Sequence, residues 1–365
     1  MLTVTPAADE RRDALAGRLF DATLGAFDLL VVHLGDRLGL YRVMADTRSR
    51  TAAELAADAG IFERYAREFL EHQAVAGIVD VDDPSAAPDR RRYALPRGHA
   101  EVLADPTSLA TMTPMAQFVV GGARSMDALV DAYRSGGGIA WDANQDVVDA
   151  QDAINRPGFT QLLVSEWTAA LPDIDARLRG EGGRIADVAC GTGWSTLALA
   201  RGYERARVDG LDLDEGSIAT ANARLADEPA DVTERVTFQA RDANDPGLAG
   251  QYDLAVILEA VHDMSRPVDV LRAVRGLLRP DGALLVADEK VAERFTAPGD
   301  AVERVMYSYS VLLCLPNGLA DQPSAGTGTV LRPDALRSMA AEAGFRSVSV
   351  LPIAHDTFRF YRLDP

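Results

Sequence analysis

The sequence of 365 residues is poor in cysteine and histidine, with only two cysteines, Cys190 and Cys314, and five histidines. The two cysteines lie far apart, and no other cysteine or histidine is near either of them in the sequence. Neither a disulfide framework nor a zinc-binding motif is therefore indicated. No stretch approaches the about 18 consecutive apolar residues that suggest a membrane span, and charges interrupt the N-terminal region where a signal peptide needs an apolar run. These absences predict a soluble, cytoplasmic protein.

Basic residues are also scarce, because 37 Lys and Arg stand against 55 Asp and Glu, giving a formal net charge of −18. Such a chain repels phosphate groups, which argues against nucleic acid and against anionic membranes as partners. We therefore expect small molecules and further copies of the same chain as partners.

The first hundred residues are patterned as short helices. Apolar residues recur every three or four positions over residues 12–45, as in amphipathic helices. Thr51, with Glu54 three residues later, matches a capping box and predicts a helix start. A second short helix over Ile61–Ala76 and two extended segments near residues 80 and 93 complete the pattern of a winged helix.

A winged helix invites a DNA-binding interpretation. The second helix of this pair, from Phe62 to Glu71, interleaves acidic residues with Arg64 and Arg67. A helix that enters the major groove needs a basic or amide-rich face instead. Dimerisation and covering of a substrate site are therefore the favoured roles of the winged helix. The sequence predicts three parts: a winged-helix and dimerisation domain (1–105), a helical connector that covers the active site (106–178) and an α/β domain (179–365).

A glycine-rich turn opens the chemistry-bearing part of the α/β domain. The strand Ile185–Ala189 leads into Cys190-Gly191-Thr192-Gly193 and then into a helix that begins at Trp194. In a doubly wound sheet, ligands bind at such a strand-to-helix turn. Thr196 stands where a dinucleotide-binding fingerprint requires glycine, and no P-loop lysine follows the turn. A nicotinamide, flavin or nucleoside triphosphate site is therefore not indicated.

Acidic residues accompany the first three strands. Asp187 lies in the first strand, Asp212 ends the second strand, and Asp242 follows the third. A carboxylate at Asp212 can accept hydrogen bonds from both hydroxyls of an adenosine ribose, with Asp214 as a nearby competitor. Asp242 is placed to accept the exocyclic amine of adenine, and the amide of Ala243 is placed to donate to a ring nitrogen. This succession of acids predicts an adenosine-containing ligand.

These motifs together resemble the class I methyltransferases that depend on S-adenosylmethionine (SAM). The resemblance covers residues 183–365 and is carried by Asp187 to Gly193, Gly210-Leu211-Asp212, Arg241-Asp242-Ala243, Tyr252-Asp253-Leu254, Leu278 to Gly282 and a final pair of strands. It implies a Rossmann-like, seven-stranded α/β domain that binds SAM and releases S-adenosylhomocysteine. The cofactor contacts that it implies are Asp187, Ala189, Gly191, Gly193, Asp212, Leu213, Asp242, Ala243 and Glu259. Ala189 stands where the family usually has glycine, and alanine is small enough for binding to survive.

With the winged helix included, the entire chain resembles a bacterial group of winged-helix methyltransferases that is similar to small-molecule O-methyltransferases. This resemblance implies a homodimer and a small-molecule methyl acceptor. The acceptor pocket is expected to draw on the connector and on residues 307–316. The sequence does not identify the acceptor.

The fourth strand, Leu254 to Leu258, is followed by His262 and Asp263. The resemblance implies that His262 is a general base that deprotonates a hydroxyl, and that Asp288, after the next strand, orients it. With an ordinary pKa of about 6.5, an imidazole is largely neutral at physiological pH. In the alternative interpretation, His262 only begins the following helix, with Asp263 or Ser265 as its cap.

Three other functions stay open on the sequence alone. Carbon or nitrogen methylation needs no general base when the acceptor is already reactive. A SAM-sensing regulator would use the winged helix on DNA. A third possibility is an enzyme that keeps the SAM-binding fold but catalyses a rearrangement without methylation.

Overall fold

The structure is a computed structural model that describes residues 8–243 and 246–365. The chain divides into two compact units. The first unit runs to Ala123 and includes Asp149–Ile154, and the second consists of Arg124–Val148 and Asn155–Pro365. The division into three parts at residues 105 and 178 stays a prediction. None of the helices in the described part of the chain has the length and apolar content that a membrane span requires.

The first unit is mainly helical. Its helices within the described residues are α1 (Ala8–Arg37), α2 (Leu40–Met44), α3 (Ala52–Ala59), α4 (Glu63–Val75), α5 (Arg97–Leu103) and α6 (Thr113–Arg124), the last of which ends at the unit boundary. Two short strands, β1 (Asp80–Val81) and β2 (Tyr93–Ala94), pair antiparallel and form the predicted wing. The predicted capping box is confirmed, because the Thr51 side chain accepts from the Glu54 amide while the Glu54 carboxylate accepts from the Thr51 amide.

Helix α1 leaves most of its apolar face uncovered. It is one continuous helix of 30 residues, and only Val32 and Gly35 in it are buried. Its large apolar side chains lie on one side of the helix with 41–64% of their surface exposed, and together they form the α1 stripe: Leu15, Leu19, Phe20, Leu24, Phe27, Leu30 and Leu34. An uncovered apolar face of this size is a candidate interaction surface.

The second unit is an α/β domain. Its strands are β3 (Gly183–Val188), β4 (Ala206–Asp212), β5 (Val236–Ala240), β6 (Tyr252–Leu258), β7 (Leu278–Glu289), β8 (Ser347–Val350) and β9 (Phe358–Asp364). Its helices among the described residues are α7 (Met126–Ser135), α8 (Gln145–Gln161), α9 (Pro172–Gly180), α10 (Trp194–Gly202), α11 (Glu215–Ala226), α12 (Ala230–Thr233), α13 (Pro267–Leu277), α14 (Ala301–Tyr309), α15 (Leu315–Gly318) and α16 (Pro333–Ala343). Residues 149–154 of α8 are grouped with the first unit.

The seven strands of this unit form one sheet in the order β5-β4-β3-β6-β7-β9-β8. Strands β3 to β7 run parallel, and β9 pairs antiparallel with both β7 and β8. The predicted seven-stranded sheet with an antiparallel final pair is confirmed. The chain proceeds from β3 outward to β5 and then returns to β6, so the direction of strand order reverses between β3 and β6. Ligands bind in the crevice at the carboxyl ends of the strands beside such a reversal.

Hydrophobic layers cover both faces of the sheet and fix the strand ends. In β3, Ile185 belongs to one apolar cluster, whereas Ala186 and Val188 belong to the cluster on the opposite face. All seven residues of β6 are buried, as is usual for a central parallel strand covered on both sides. This packing holds the carboxyl ends of the central strands β3, β4, β6 and β7 in place.

Candidate active site

The loop after β3 adopts a left-handed backbone at three residues, with φ of +60° at Ala189, +51° at Gly191 and +91° at Gly193. A Cβ on Gly193 would lie 2.6 Å from the ring of Phe238 and 2.9 Å from Ala221, so this position has no room for a side chain. A Cβ on Gly191 would meet no atom within 4 Å. The loop therefore packs tightly against the fold at Gly193 and stays open to a ligand at Gly191.

Asp212, at the end of β4, is tied to this loop. Its carboxylate accepts hydrogen bonds from the backbone amides of Gly191 at 2.8 Å and of Asp214 at 2.9 Å. Burial raises the pKa of Asp212, although these amide donors stabilise the charged form. Because each carboxylate oxygen can accept more than one hydrogen bond, the group still has acceptor capacity for a diol.

The residues near Asp212 differ in what their side chains are free to do. Asp214 caps α11, because its side chain accepts from backbone amides in the first turn of that helix. Leu213, the next residue along the chain, is 74% exposed, so its apolar side chain is accessible to a ligand. Asp242 follows the neighbouring strand β5 and is exposed, whereas Ala243 is buried. Of the two acids that compete at the end of β4, Asp212 is therefore the better placed for a ribose.

Asp187 lies beneath the loop. It is 1% exposed, and one of its carboxylate oxygens accepts from the hydroxyls of Ser195 and Thr196, both at 2.6 Å. Burial raises the pKa of Asp187 to about 6, while the two hydroxyls oppose this shift. The side chain thus ties β3 to the first turn of α10 and holds the glycine loop in shape.

Glu259, directly after β6, also has a left-handed backbone, with φ of +55°. Its amide donates to the carbonyl of Ala287 at 2.8 Å, and its carboxylate accepts from the side-chain amide of Asn155 at 3.1 Å. A non-glycine residue in this region costs on the order of 1–2 kcal/mol and is kept where surrounding contacts enforce it. Glu259 and Ala189 thus mark two strained strand ends on the neighbouring strands β6 and β3.

His262 and Asp288 form a buried pair at the same edge of the sheet. His262 lies in a 3₁₀ turn after β6 and is 3% exposed, while Asp288 lies near the end of β7 and is 1% exposed. The Nδ1 atom of His262 and the Oδ1 atom of Asp288 are 2.9 Å apart. Because a carboxylate only accepts, Nδ1 carries the proton and Nε2 is the atom left for proton transfer.

The helix-start interpretation of His262 does not match the structure. Helix α13 begins only at Pro267, with Arg266 in the N-cap position and no side-chain cap. Neither Asp263 nor Ser265 therefore caps a helix that starts at His262.

The charges around His262 change its acid strength. Burial alone lowers the pKa of His262, but the carboxylates of Asp288 and Asp263 outweigh burial and raise this pKa well above its ordinary value. The ordinary value assumed from the sequence is therefore wrong for this environment. The neutral ring is therefore a stronger base than free imidazole, and the carboxylate of Asp288 stabilises the protonated ring.

One further side chain at this point, Cys314, was missed by the sequence analysis. The Nε2 atom of His262 lies 3.6 Å from Oδ1 of Asp263. Ligand atoms of His262, Asp263 and Cys314 all lie within 4.8 Å of one another. Cys314 ends a π-helical turn, Ser310–Cys314, that no spacing in the sequence connects with His262. Only the tertiary fold brings this thiol to the imidazole.

Comparisons with known proteins agree with this fold. Residues 186–284 match the family model of a methyltransferase domain, and residues 26–105 match that of an Rv2258c-like winged HTH domain. The chain carries a methyltransferase domain. The winged-helix part predicted from the sequence is confirmed as well.

The methyltransferase domain has relatives among curated proteins and solved structures. It is 35% identical over 114 residues to the ubiquinone biosynthesis O-methyltransferase of Marinobacter nauticus, a match that spans 31% of this chain and 47% of that relative. The structure of the mitomycin 7-O-methyltransferase MmcR aligns over 98% of this chain and 99% of its own, with a TM-score of 0.68 and 21% identity. Human N-acetylserotonin methyltransferase in complex with SAM aligns over 100% and 99%, with a TM-score of 0.67 and 17% identity. At these identities the solved structures show the fold, which is the class I methyltransferase fold predicted from the sequence.

Proposed function

We propose that this protein is a SAM-dependent O-methyltransferase that acts on a small organic molecule and uses His262 as its general base. The observation that carries the proposal is the buried pair of His262 and Asp288 at the carboxyl edge of a class I methyltransferase sheet. Methylation of carbon or nitrogen does not require such a base when the acceptor is already nucleophilic. A base and its orienting acid therefore favour an acceptor that must lose a proton.

The residues at the ends of β3 and β4 fit SAM. The Asp212 carboxylate suits the ribose hydroxyls, the open side of Gly191 allows a ligand to approach the backbone, and the exposed Leu213 offers an apolar contact for adenine. Asp242 and Ala243 follow β5, which lies next to β4. Asp187 contributes by holding the loop through Ser195 and Thr196. The methyl group to be transferred is supplied by SAM when it is bound.

The residues of the chain would then act in a fixed order. With the acceptor hydroxyl held beside the ring, Nε2 of His262 would take the hydroxyl proton, while bound SAM would supply the methyl group and leave as S-adenosylhomocysteine. Asp288 keeps the ring in the tautomer that leaves Nε2 available and stabilises the imidazolium that results. Positioning of the two reactants supplies much of the remaining acceleration.

The relatives support the class of acceptor. The names of three similar proteins describe O-methylation in ubiquinone biosynthesis, 7-O-methylation of mitomycin and methylation of N-acetylserotonin. All three are small-molecule reactions. We extend this class to the present chain, without selecting one of these acceptors.

We further propose that the chain forms a homodimer through the α1 stripe. A helix of 30 residues with seven large apolar side chains exposed along one side is self-complementary in chemistry and long enough for a stable pairing. The wing and α4 do not favour DNA instead. Arg64 pairs with Glu68 and Arg91 pairs with Glu71, so these arginines are partly neutralised by acids of α4 itself.

The reaction is tested by incubating the purified protein with SAM and a panel of hydroxylated aromatic compounds, matched amines and matched carbon nucleophiles. We expect a product heavier by one methylene, with the methyl group on oxygen by nuclear magnetic resonance. Methylation confined to carbon or nitrogen, or a SAM-dependent product of unchanged mass, would contradict O-methylation.

A further inference from the structure

The cluster of His262, Asp263 and Cys314 contains more donor atoms than a general base needs. A histidine nitrogen, a carboxylate oxygen and a thiol sulfur lie within 4.8 Å of one another. Of these atoms, Nε2 of His262 and Oδ1 of Asp263 are 3.6 Å apart. By hydrogen-bond geometry, this Oδ1 atom is buried without a partner among the described residues. The imidazole nitrogen and the carboxylate oxygen thus face each other at a distance that is too long for a direct hydrogen bond.

This spacing fits a tetrahedral metal ion. Zinc binds nitrogen, oxygen and sulfur at about 2.0–2.3 Å, so two of its donors lie about 3.3–3.6 Å apart. The measured 3.6 Å between His262 and Asp263 matches this value. The sulfur of Cys314 lies within 4.8 Å of both other ligand atoms, so a shift of roughly 1 Å brings it to the donor spacing of the same centre. A mixed set of imidazole, carboxylate and thiolate selects zinc or cobalt over magnesium and calcium, which prefer oxygen donors.

The surroundings are those of a metal ligand. Metal-binding histidines usually donate their other ring N–H to a carboxylate, which fixes the ring and raises its basicity. His262 makes this contact with Asp288 at 2.9 Å. Burial raises the pKa of the Cys314 thiol to about 12 in the protein without an ion, so a bound cation would have to displace that proton.

We propose that His262, Asp263 and Cys314 form a binding site for a zinc-type divalent cation that switches the enzyme off. The consequence for activity depends on the proposed function. A cation bound to Nε2 of His262 occupies the lone pair that would otherwise take the proton of the substrate hydroxyl. Binding releases the Cys314 proton, and any proton on Nε2 of His262, to solvent, so the dipositive ion meets one thiolate, one carboxylate and a neutral ring.

The site is tested by titrating the full-length protein with Co²⁺, which reports thiolate ligation through a near-ultraviolet charge-transfer band. We expect one Co²⁺ per chain with this band, and displacement of Co²⁺ by Zn²⁺ but not by Mg²⁺. Cys314→Ser should abolish the band and weaken Zn²⁺ binding about tenfold or more, whereas Cys190→Ser, which alters the other cysteine, should leave the band intact. Asp263→Asn is the second variant, expected to weaken binding without removing the sulfur.

Each outcome separates the site from the proposed reaction. Absence of the band in the wild type, or its loss in Cys190→Ser but not in Cys314→Ser, overturns the site whatever the activity. If the band behaves as expected, Zn²⁺ should inhibit methyl transfer in the wild type and inhibit Cys314→Ser about tenfold more weakly. Equal inhibition of both proteins overturns the regulatory role. A protein that binds Co²⁺ as expected but transfers no methyl group refutes the proposed function and leaves the metal site standing.

Discussion

The Nδ1 atom of His262 lies 2.9 Å from the Oδ1 atom of Asp288, although the two residues stand on different strand ends. His262 follows β6, Asp288 lies near the end of β7, and β6 pairs parallel with β7. The parallel register places both residues at the same edge of the sheet. The pair is thus a product of the fold, and both side chains are buried where their interaction is strong.

Replacing the proposed base should remove most of the activity. In His262→Gln we expect kcat for a hydroxyl acceptor to fall about a hundredfold or more, because general bases contribute about 10²–10⁴. Steady-state kinetics with a saturating acceptor give this value, and calorimetry should show unchanged affinity for SAM. His99→Gln, an exposed histidine of the first unit, serves as the control. A kcat within a few-fold of the wild type in His262→Gln would assign the reaction to a mechanism without this base.

The pH dependence follows from the charges around His262. Asp288 and Asp263 raise the pKa of His262, so the neutral base is depleted at low pH and activity should rise with pH through this elevated value. Asp288→Asn removes one of these charges. Its pH–rate profile should therefore turn upward at lower pH than that of the wild type, while its maximal rate falls because the ring loses its orienting carboxylate.

The measurement is kcat as a function of pH for the wild type and for Asp288→Asn. Asp269→Asn, which removes an exposed acid of α13, controls for general changes of surface charge. An unchanged or upward-shifted profile midpoint in Asp288→Asn would contradict the account of the pair.

Ala189 carries backbone strain that glycine would relieve. Its φ of +60° is left-handed, a conformation that costs an alanine about 1–2 kcal/mol relative to its preferred region. Ala189→Gly should therefore raise the free energy of unfolding by about 1 kcal/mol, after allowance for the greater entropy of glycine in the unfolded chain. Urea denaturation measures this change. Ala186→Gly, a change at a buried position in β3, should instead destabilise the protein. If both changes destabilise the protein, the proposed backbone strain at Ala189 is wrong.

The α1 stripe should control the oligomeric state. Two acidic residues on an apolar interface must be buried without partners, which is strongly unfavourable. The double variant Phe27→Glu and Leu30→Glu should therefore sediment as a monomer in analytical ultracentrifugation, where the wild type sediments as a dimer. Arg18→Glu, on the opposite side of α1, should stay dimeric. A monomeric wild type, or a double variant that remains dimeric, would show that the α1 stripe does not mediate dimerisation.

Much of the fold could be predicted from sequence because it rests on local patterns. Strand β4 ends at Asp212 and Asp242 follows β5, as the sequence predicted, because strand-forming runs followed by acidic residues are local signals. The capping box of Thr51 and Glu54 is likewise a local signal. The catalytic candidates His262 and Asp288 came from the resemblance, and the structure brings them together.

Other features could not be predicted because they depend on distant parts of the chain. Cys314 reaches His262 only through the tertiary fold, and the elevated pKa of His262 arises from acids on two different segments. The left-handed conformations of Ala189 and Glu259 also escaped the sequence analysis, since neither residue type signals a positive φ. These features lie at the carboxyl edge of the sheet, and local conformational preferences are expected to fail at functional sites.

The central claim is that the domain binds SAM through the carboxylate that joins β4 to the glycine loop, and calorimetric titration with SAM and S-adenosylhomocysteine tests it most directly. The account predicts micromolar affinity in the wild type and in Asp231→Ala, which alters an exposed acid of α12. It predicts at least tenfold weaker binding in Asp212→Ala, or about 1.4 kcal/mol. No binding by the folded wild type, or equal affinity in Asp212→Ala, would contradict it.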